Sequence, residues 1–432
     1  MQFAGIAAGN FLITVDATIL NVALPDLQHD LHAPAVALPW VVDAYTVVLA
    51  GLMLASGAIA DRWGPRRVYQ AALAGFALFS LLCATAPSAG VLIAGRALLG
   101  IPAAGLVPAA MALLAALYPQ SDQRARRIGT LIAITGLGIA SGPVLGGALV
   151  AAGGWRLVFL VNPPVALLAL LASRRLSGHR TGSAMPIDRT GLLLSIAGLT
   201  ALTFGLVDAG TGGWLRPSPL TALLVAAAAF AVLPVAQRRA AAPLLPPALL
   251  ALPRVRIDLL VALMSQLVYY GLLFTLSQWM VNARGMPALQ AGLAFLPMTA
   301  PIAVVPMVTG RLVARLGARP LMLAGMTLDL LGGLLLGFGG SSLWVIFAVE
   351  LLIGTGGPLA TPAYIADMSS AVPLELAATG QGALNAARQT GTALGVAIFG
   401  TLATLSATGT VLTVGAALTL AAIGLTNRPA PR

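Results

Sequence analysis

The sequence predicts an all-α integral membrane protein of fourteen transmembrane spans, built as two six-helix halves with two further helices inserted between them. Three observations predict this. Of 432 residues, 59% are hydrophobic and only 9% charged, a balance that no water-facing domain surface carries. Apolar stretches of about 20 residues, the length that crosses a bilayer, recur from one end of the chain to the other. Two separate segments also repeat at a single offset of 253 residues: Gly57, Arg62, Gly64 and Arg66 return as Gly310, Arg315, Gly317 and Arg319, and Gly138, Gly142 and Gly147 return as Gly391, Gly395 and Gly400.

In order, the spans are expected near 3–24, 36–60, 68–86, 90–117, 128–152 and 155–173, then 190–209 and 218–236, then 257–281, 289–312, 320–338, 341–364, 379–405 and 408–426. The first begins almost at Met1, has no basic region before it and contains Asp16, so it reads as retained, not as a cleaved signal. Basic residues set the phase. All 24 are arginine, giving a net charge of +11. They cluster in alternate loops: Arg62, Arg66 and Arg67; Arg124, Arg126 and Arg127; Arg174, Arg175, Arg180 and Arg189; Arg238, Arg239, Arg254 and Arg256; Arg311, Arg315 and Arg319; and Arg428 and Arg432. Basic loops stay in the cytoplasm, which places both termini there. The loop at 365–378 is the exception and carries acids. Domain boundaries follow: 1–189, the first six spans; 190–256, the inserted pair; 257–432, the last six.

Several chemistries are excluded by what the chain lacks. Its single cysteine, Cys83, allows no internal disulfide. His29, His32 and His179 all fall in loops, and neither a metal-ligand cluster nor a nucleophile-base pair is visible, so no enzyme, metal or cofactor is expected. Short arginine clusters between spans serve topology and do not imply nucleic acid.

The motifs are specific. Residues 138–147, GIASGPVLGG, set Gly138, Gly142, Pro143, Gly146 and Gly147 inside an apolar span, where small residues let helices touch and Pro143 deletes one helical hydrogen bond. This segment resembles motif C, the antiporter motif of exporters in the major facilitator superfamily. GAIADRWGPRR, with Gly57, Asp61, Arg62, Gly64 and Arg66, resembles motif A; Arg96 in LIAGRALLG resembles motif B; DATILNVALP from Asp16 resembles a first-helix motif. Over nearly its whole length the chain is similar to the fourteen-span drug:proton antiporter branch of that superfamily, including methylenomycin-resistance and quaternary-ammonium exporters. The resemblance implies the major facilitator fold and proton-coupled efflux by alternating access. Ala314 departs from it, standing where the first half has Asp61.

The residues that could carry such chemistry are few. Asp16 lies mid-span, where a carboxylate must face a cavity, pair with a cation or hold a proton, and so is the candidate proton carrier. Arg96 enters the fourth span about two turns from its outer end, stays charged, and if it faces Asp16 could couple a proton to a conformational switch. The alternative is a fixed structural ion pair. Asp43, beside Trp40 and Tyr45 near the outer boundary of the second span, suits a lipophilic cation, with hydration as the plain alternative. Gln278, and Asn385 with Arg388, are further candidates for lining the cavity. For Asp329 and Glu350, inside the eleventh and twelfth spans, a polar interhelical contact stands beside direct ligand binding. Asp61 and its neighbouring arginines read as a gate. The expected partners are the lipid bilayer, protons and a small lipophilic substrate, handled by a monomer in the cell membrane. A dedicated exporter of one host-made metabolite and a non-transporting membrane scaffold remain as alternatives.

Overall fold

Wherever the sequence stays apolar for the width of a bilayer, the chain is helical. The computed structural model describes residues 2–118, 120–174, 188–240, 243, 247–372, 377–402 and 404–425, and among the described residues all regular structure is helix. The helices are α1 (Gln2–Asp30), α2 (Ala37–Trp63), α3 (Pro65–Ala84), α4 (Ala89–Leu117), α5 (Ser121–Gly153), α6 (Arg156–Leu160), α7 (Asn162–Ser173), α8 (Arg189–Gly212), α9 (Pro217–Arg239), α10 (Pro247–Ala251), α11 (Pro253–Gln278), α12 (Ala288–Ala294), α13 (Leu296–Leu316), α14 (Ala318–Phe338), α15 (Leu343–Ala371), α16 (Ala377–Gly400) and α17 (Leu405–Leu425). Among the described residues twelve helical segments are long and apolar enough to cross a membrane. Beyond those twelve, α2 contributes the apolar stretch Ala37–Leu49 and α16 a helix of 24 residues.

Three predicted spans are interrupted. The span at 155–173 breaks at Val161 into α6 and α7, because Pro163 and Pro164 have no N–H to give and must start a helix, not continue one. The span at 257–281 ends in a π-helical turn, Trp279–Ala283, and the span at 289–312 breaks at Phe295, two residues before Pro297. Several others run longer than expected, α1 and α15 among them. α1 continues to Asp30, and α15 reaches Ala371, so Asp367 sits on a helix instead of in an acidic loop. There it pairs with Arg254 of α11, whose Nε is 3.3 Å from Oδ2.

The chain divides into two compact units. Unit 1 holds Met1–Ala197 together with Ser277–Leu293, and unit 2 holds Gly198–Leu276 together with Ala294–Arg432. In unit 1 the buried side chains of Ile6, Leu12, Tyr69, Leu73, Phe76, Leu99 and Leu106 join α1, α3 and α4. In unit 2 Val261, Leu321, Met326, Tyr364, Leu384 and Ile423 join α11, α14, α15, α16 and α17.

The sequence repeat reappears as backbone geometry. Gly64 (φ 91°) closes α2 and opens α3, and Gly317 (φ 82°), 253 residues on, does the same between α13 and α14. A positive φ suits glycine, which is why this position of the repeat is invariant within the chain. Two residues later Arg66 donates from Nη2 to the Arg174 carbonyl at the end of α7 (2.5 Å), and Arg319 donates to the Ile423 carbonyl near the end of α17. Each arginine thus donates to a carbonyl in the last described turn of its partner helix. In the inserted pair, Gly205 of α8 packs on Leu223 and Gly198 on Phe230 of α9, while Leu220, Leu224 and Val225 are exposed on α9, as a lipid-facing helix requires.

Candidate functional site

The centre of unit 1 is a buried ion pair. Asp16 of α1 and Arg96 of α4 are both about 1% exposed, and Arg96 Nη1 donates to Asp16 Oδ2 at 2.7 Å. Desolvating two charges costs several kcal/mol per ion, which further hydrogen bonds offset, and here α2 and α7 supply such contacts. Arg96 Nε donates to the Val41 carbonyl of α2 at 2.9 Å. The Tyr45 ring, one helical turn further on, lies under the guanidinium at 4.3 Å from its centroid, a cation-π contact in a dry setting. On the acid's other side, Asn162 Nδ2 donates to Asp16 Oδ1 at 3.0 Å and lies 2.9 Å from Ser80 Oγ, which in turn donates to the Phe159 carbonyl at 2.9 Å.

Asn162 and Ser80 were not singled out from sequence. Asn162 turns inward because the α6–α7 break re-aims the first residue of α7. The readable signal was an asparagine just before Pro163 and Pro164 in an otherwise apolar span.

Asp43, two residues after Val41, is fully buried, which corrects the reading of a hydrated residue at the span boundary. Neither of its carboxylate oxygens has a hydrogen-bond partner among the described residues, and the Thr46 hydroxyl donates to its main-chain carbonyl (3.1 Å). Trp40 is half-buried at the start of the same helix. Of the predicted α2 trio, then, Tyr45 belongs to the Arg96 network and Asp43 stands apart from it.

The glycine-rich span is an interhelical seam. A Cβ on Gly138 would collide with the Thr14 hydroxyl, one on Gly142 with the Thr18 hydroxyl, and one on Gly146 would lie 2.5 Å from the Ile19 carbonyl. These positions let α5 lie directly on α1, with Asn10 Nδ2 donating to Thr135 Oγ1 (2.9 Å) and Thr18 Oγ1 to the Ile139 carbonyl (3.3 Å). The next turn turns to another partner. Gly147 packs on the main chain of Ala288 and Leu289, and Gly292 on the carbonyl of Pro143, so the start of α12 seats on the same glycine run. Ser277 also donates to the Asn21 carbonyl of α1. Pro143 has no N–H for the Ile139 carbonyl one turn earlier in α5, and the Thr18 hydroxyl of α1 donates to that carbonyl, while Gly292 approaches the carbonyl of Pro143 itself.

Gln278 accepts from Asn282 Nδ2 at 3.0 Å, and its own Nε2 is buried without a hydrogen-bond partner among the described residues. In unit 2 Arg388 reaches Asn385 Oδ1 at 3.4 Å, and the Gln266 amide oxygen, turned toward it, accepts from its Nη2 and Nε at 3.0 and 2.9 Å. Of the gate motif, Gly64 and Arg66 have the geometry given above; the surroundings of positions 57, 61 and 62 lie outside the described residues, as do those of Arg126. Arg127 stacks over Phe3 and Tyr118 at 5.1 and 5.3 Å. A cavity of about 690 Å³ opens among α2, α3 and α4, lined by Leu52, Trp63, Gly75, Phe79 and Pro102. None of the predicted substrate residues lines it, and its walls are mostly apolar, with Ser56 and Arg67 as the polar exceptions.

Comparison with known proteins agrees with this architecture. A sequence model of the Major Facilitator Superfamily matches residues 6–396 and, a second time, 258–432. The methylenomycin A resistance protein of Bacillus subtilis strain 168 is 34% identical over 409 residues, covering 93% of this chain and 87% of that protein. The multidrug resistance protein Stp of Mycobacterium tuberculosis is 34% identical over 404 residues, covering 93% and 75%. Among solved structures, a POT family transporter in complex with 5-aminolevulinic acid superposes with a TM-score of 0.73 at 13% identity, over 99% of this chain and 96% of that one, a likeness of fold.

Proposed function

Because the chain belongs to the Major Facilitator Superfamily, we propose that it is a drug efflux transporter that exports lipophilic, cationic or amphiphilic compounds in exchange for protons, by alternating access. Relatives named for methylenomycin and multidrug resistance support export. The observation that carries the coupling is the ion pair of Asp16 and Arg96. In the described conformation Asp16 is matched by a cation and by Asn162. A rearrangement that parts α1 from α4 would leave the acid alone in a low-dielectric setting, where taking a proton removes the cost of its charge. Protonation and conformation are then linked, because the two states differ in their affinity for the proton. A proton moving inward through the membrane potential supplies about 2.3 kcal/mol per 100 mV, with about 1.36 kcal/mol more per unit of pH difference.

The proposed topology has fourteen crossings: the twelve apolar spans together with α2 and α16. Its partition is 1–189, 190–256 and 257–432, with cytoplasmic termini and a monomeric protein. Arginine-rich alternate loops and the 253-residue repeat support it. Asp43, Trp40, Gln278, Asn385 and Arg388 are the proposed substrate contacts. The seam of Gly138, Gly142, Gly146 and Gly147 is the proposed close-packed contact that favours exchange over leak, and Asp61 with its arginines is the proposed inner gate. Export of a single host-made antibiotic is the second reading, favoured by a relative named for one antibiotic.

The test uses inverted membrane vesicles holding a proton gradient. Addition of ethidium or a quaternary ammonium releases protons with the wild-type chain and fails to do so with Asp16→Asn at matched expression. Undiminished release from Asp16→Asn would remove Asp16 from the coupling path; absence of release from the wild type across a panel of cations and neutral antibiotics would overturn proton-coupled drug export.

A further inference from the structure

The crevice between α2 and α3 lies outside the ion-pair network. Both helices pack on α4 and touch each other little, so the opening of about 690 Å³ has α4 as its floor. Small residues make the room, Ala71 and Gly75 on α3 and Ala104 and Gly105 on α4. The mouth faces outward from the unit, where Trp63 of α2 is 63% exposed and Ile101 of α4 48%. Inside, the one polar side chain among the described lining residues is Ser56, and its hydroxyl already donates to the Ala104 carbonyl at 2.7 Å. The interior therefore offers apolar surface and suits a chain of methylene groups.

One end of the crevice carries charge. Arg67 lines it there, beside Trp63 and the Gly64 turn. It is exposed and makes no hydrogen bond or ion pair with another described residue, whereas its neighbour Arg66 is committed to the Arg174 carbonyl. An exposed tryptophan at the end of an apolar span is an interfacial residue, so this end sits at headgroup level. Along α3 the walls run from Arg67 to Phe79, twelve residues or about 18 Å, against about 15 Å for one leaflet of a hydrocarbon core about 30 Å thick. At the offset of 253 the positions of Trp63, Arg67 and Gly75 hold Leu316, Pro320 and Leu328. Unit 2 thus has neither the cation nor the aromatic at these positions, and a large side chain where unit 1 has none.

We propose that this crevice is a binding site for one anionic phospholipid, its phosphate on Arg67 and an acyl chain laid between α2 and α3 over α4. A single cation at headgroup level above an apolar slot one leaflet deep matches a lipid that is negative at one end and apolar along its length. In the proposed topology Arg67 faces the cytoplasm, so the lipid comes from the inner leaflet.

The experiment uses the full-length protein in detergent, titrated with phosphatidylglycerol or with phosphatidylcholine of the same acyl chains, and bound lipid is counted by native mass spectrometry. The wild type binds phosphatidylglycerol about fivefold more tightly, the preference that one arginine near an anionic headgroup gives. Arg67→Gln loses the preference and keeps its affinity for phosphatidylcholine. Ala71→Leu, at an exposed position of the wall, weakens both lipids and keeps the preference. Thermal unfolding of the lipid-free proteins checks that both variants keep the fold. A wild type without preference, a preference undiminished in Arg67→Gln, or binding unchanged in Ala71→Leu would overturn the site. Displacement of the lipid by ethidium would overturn it too, and would assign the crevice to substrate. As an independent readout, phosphatidylglycerol with a photoreactive diazirine in its acyl chain should label α2, α3 and α4 around the crevice; labelling confined to other helices would contradict the proposal. Asp16 takes no part in this binding, so failure here leaves the proposed proton coupling untouched.

Discussion

The two units share their packing and differ in their buried charges. In unit 1 Gly138 and Gly142 of α5 receive Thr14 and Thr18 of α1, and in unit 2 Gly391 and Gly395 of α16 receive the main chain of Leu263 and Leu267 of α11. Subtracting 253 places those partners at 10 and 14, so the second seam has the same form, displaced by one helical turn toward the start of the helix. The charges do not repeat in this way. Both units bury acids with neither oxygen partnered among the described residues, Asp43 in unit 1 and Asp329 and Glu350 in unit 2, but the buried arginine–carboxylate pair among the described residues, Arg96 with Asp16, belongs to unit 1. Packing is what the duplicated fold requires of both halves. The ion pair answers to something required of one.

Removing one member of the pair should have the largest effect. Arg96→Gln leaves Asp16 as an unmatched buried acid and Asp16→Ala leaves an unmatched guanidinium, each expected to cost about 3–5 kcal/mol. The double variant should be more stable than either single one, as thermal unfolding in detergent would register. Strict additivity would deny that the pair acts as a unit. The next effect compares the seams. Gly146→Ala meets the Ile19 carbonyl and Gly395→Ala the Leu267 carbonyl, both main-chain atoms that cannot turn aside, so each should cost about 1–3 kcal/mol. At Gly310, which faces open space, alanine should leave the unfolding temperature unchanged or slightly raised. A penalty there equal to those at the seam positions would refute the packing account.

Much of this was legible in the chain. Helical stretches follow from length and apolarity, and the φ > 0 turns at Gly64 and Gly317 follow from glycine at matching positions of the repeat. The contact of Asp16 with Arg96 is what two opposite charges in apolar spans must find. Thr14 and Thr18, spaced four apart on α1, mark a polar stripe that faces α5, a signal present in the sequence but not used. Asn162 was harder, because its direction depends on where Pro163 and Pro164 break the helix. The burial of Asp43 was not legible, since local sequence places it near a span end and only tertiary packing removes it from water. Nor could sequence tell that Gly147 would seat Ala288, a contact between segments 141 residues apart.

Smaller effects sharpen the comparison further. Asn162→Leu removes the donor to Asp16 Oδ1 and should cost about 1–3 kcal/mol, with proton-driven transport weakened more than substrate binding, measured as transport rate against equilibrium ethidium binding. The smallest effect is expected at the repeated helix ends. Arg66→Ala and Arg319→Ala each remove one donor to a carbonyl in the last described turn of a helix and should each cost about 0.5–1.5 kcal/mol, and similar losses in the two variants would mark this as a feature of the fold shared by both units.

Exchange of labelled for unlabelled ethidium across proteoliposomes without any gradient, compared with uphill accumulation driven by a proton gradient, separates coupling from folding and binding. If Asp16 couples protons to the conformational cycle, Asp16→Asn retains exchange and loses uphill accumulation. Uphill accumulation by Asp16→Asn at the wild-type level, or loss of exchange together with accumulation, would contradict the assignment of coupling to Asp16.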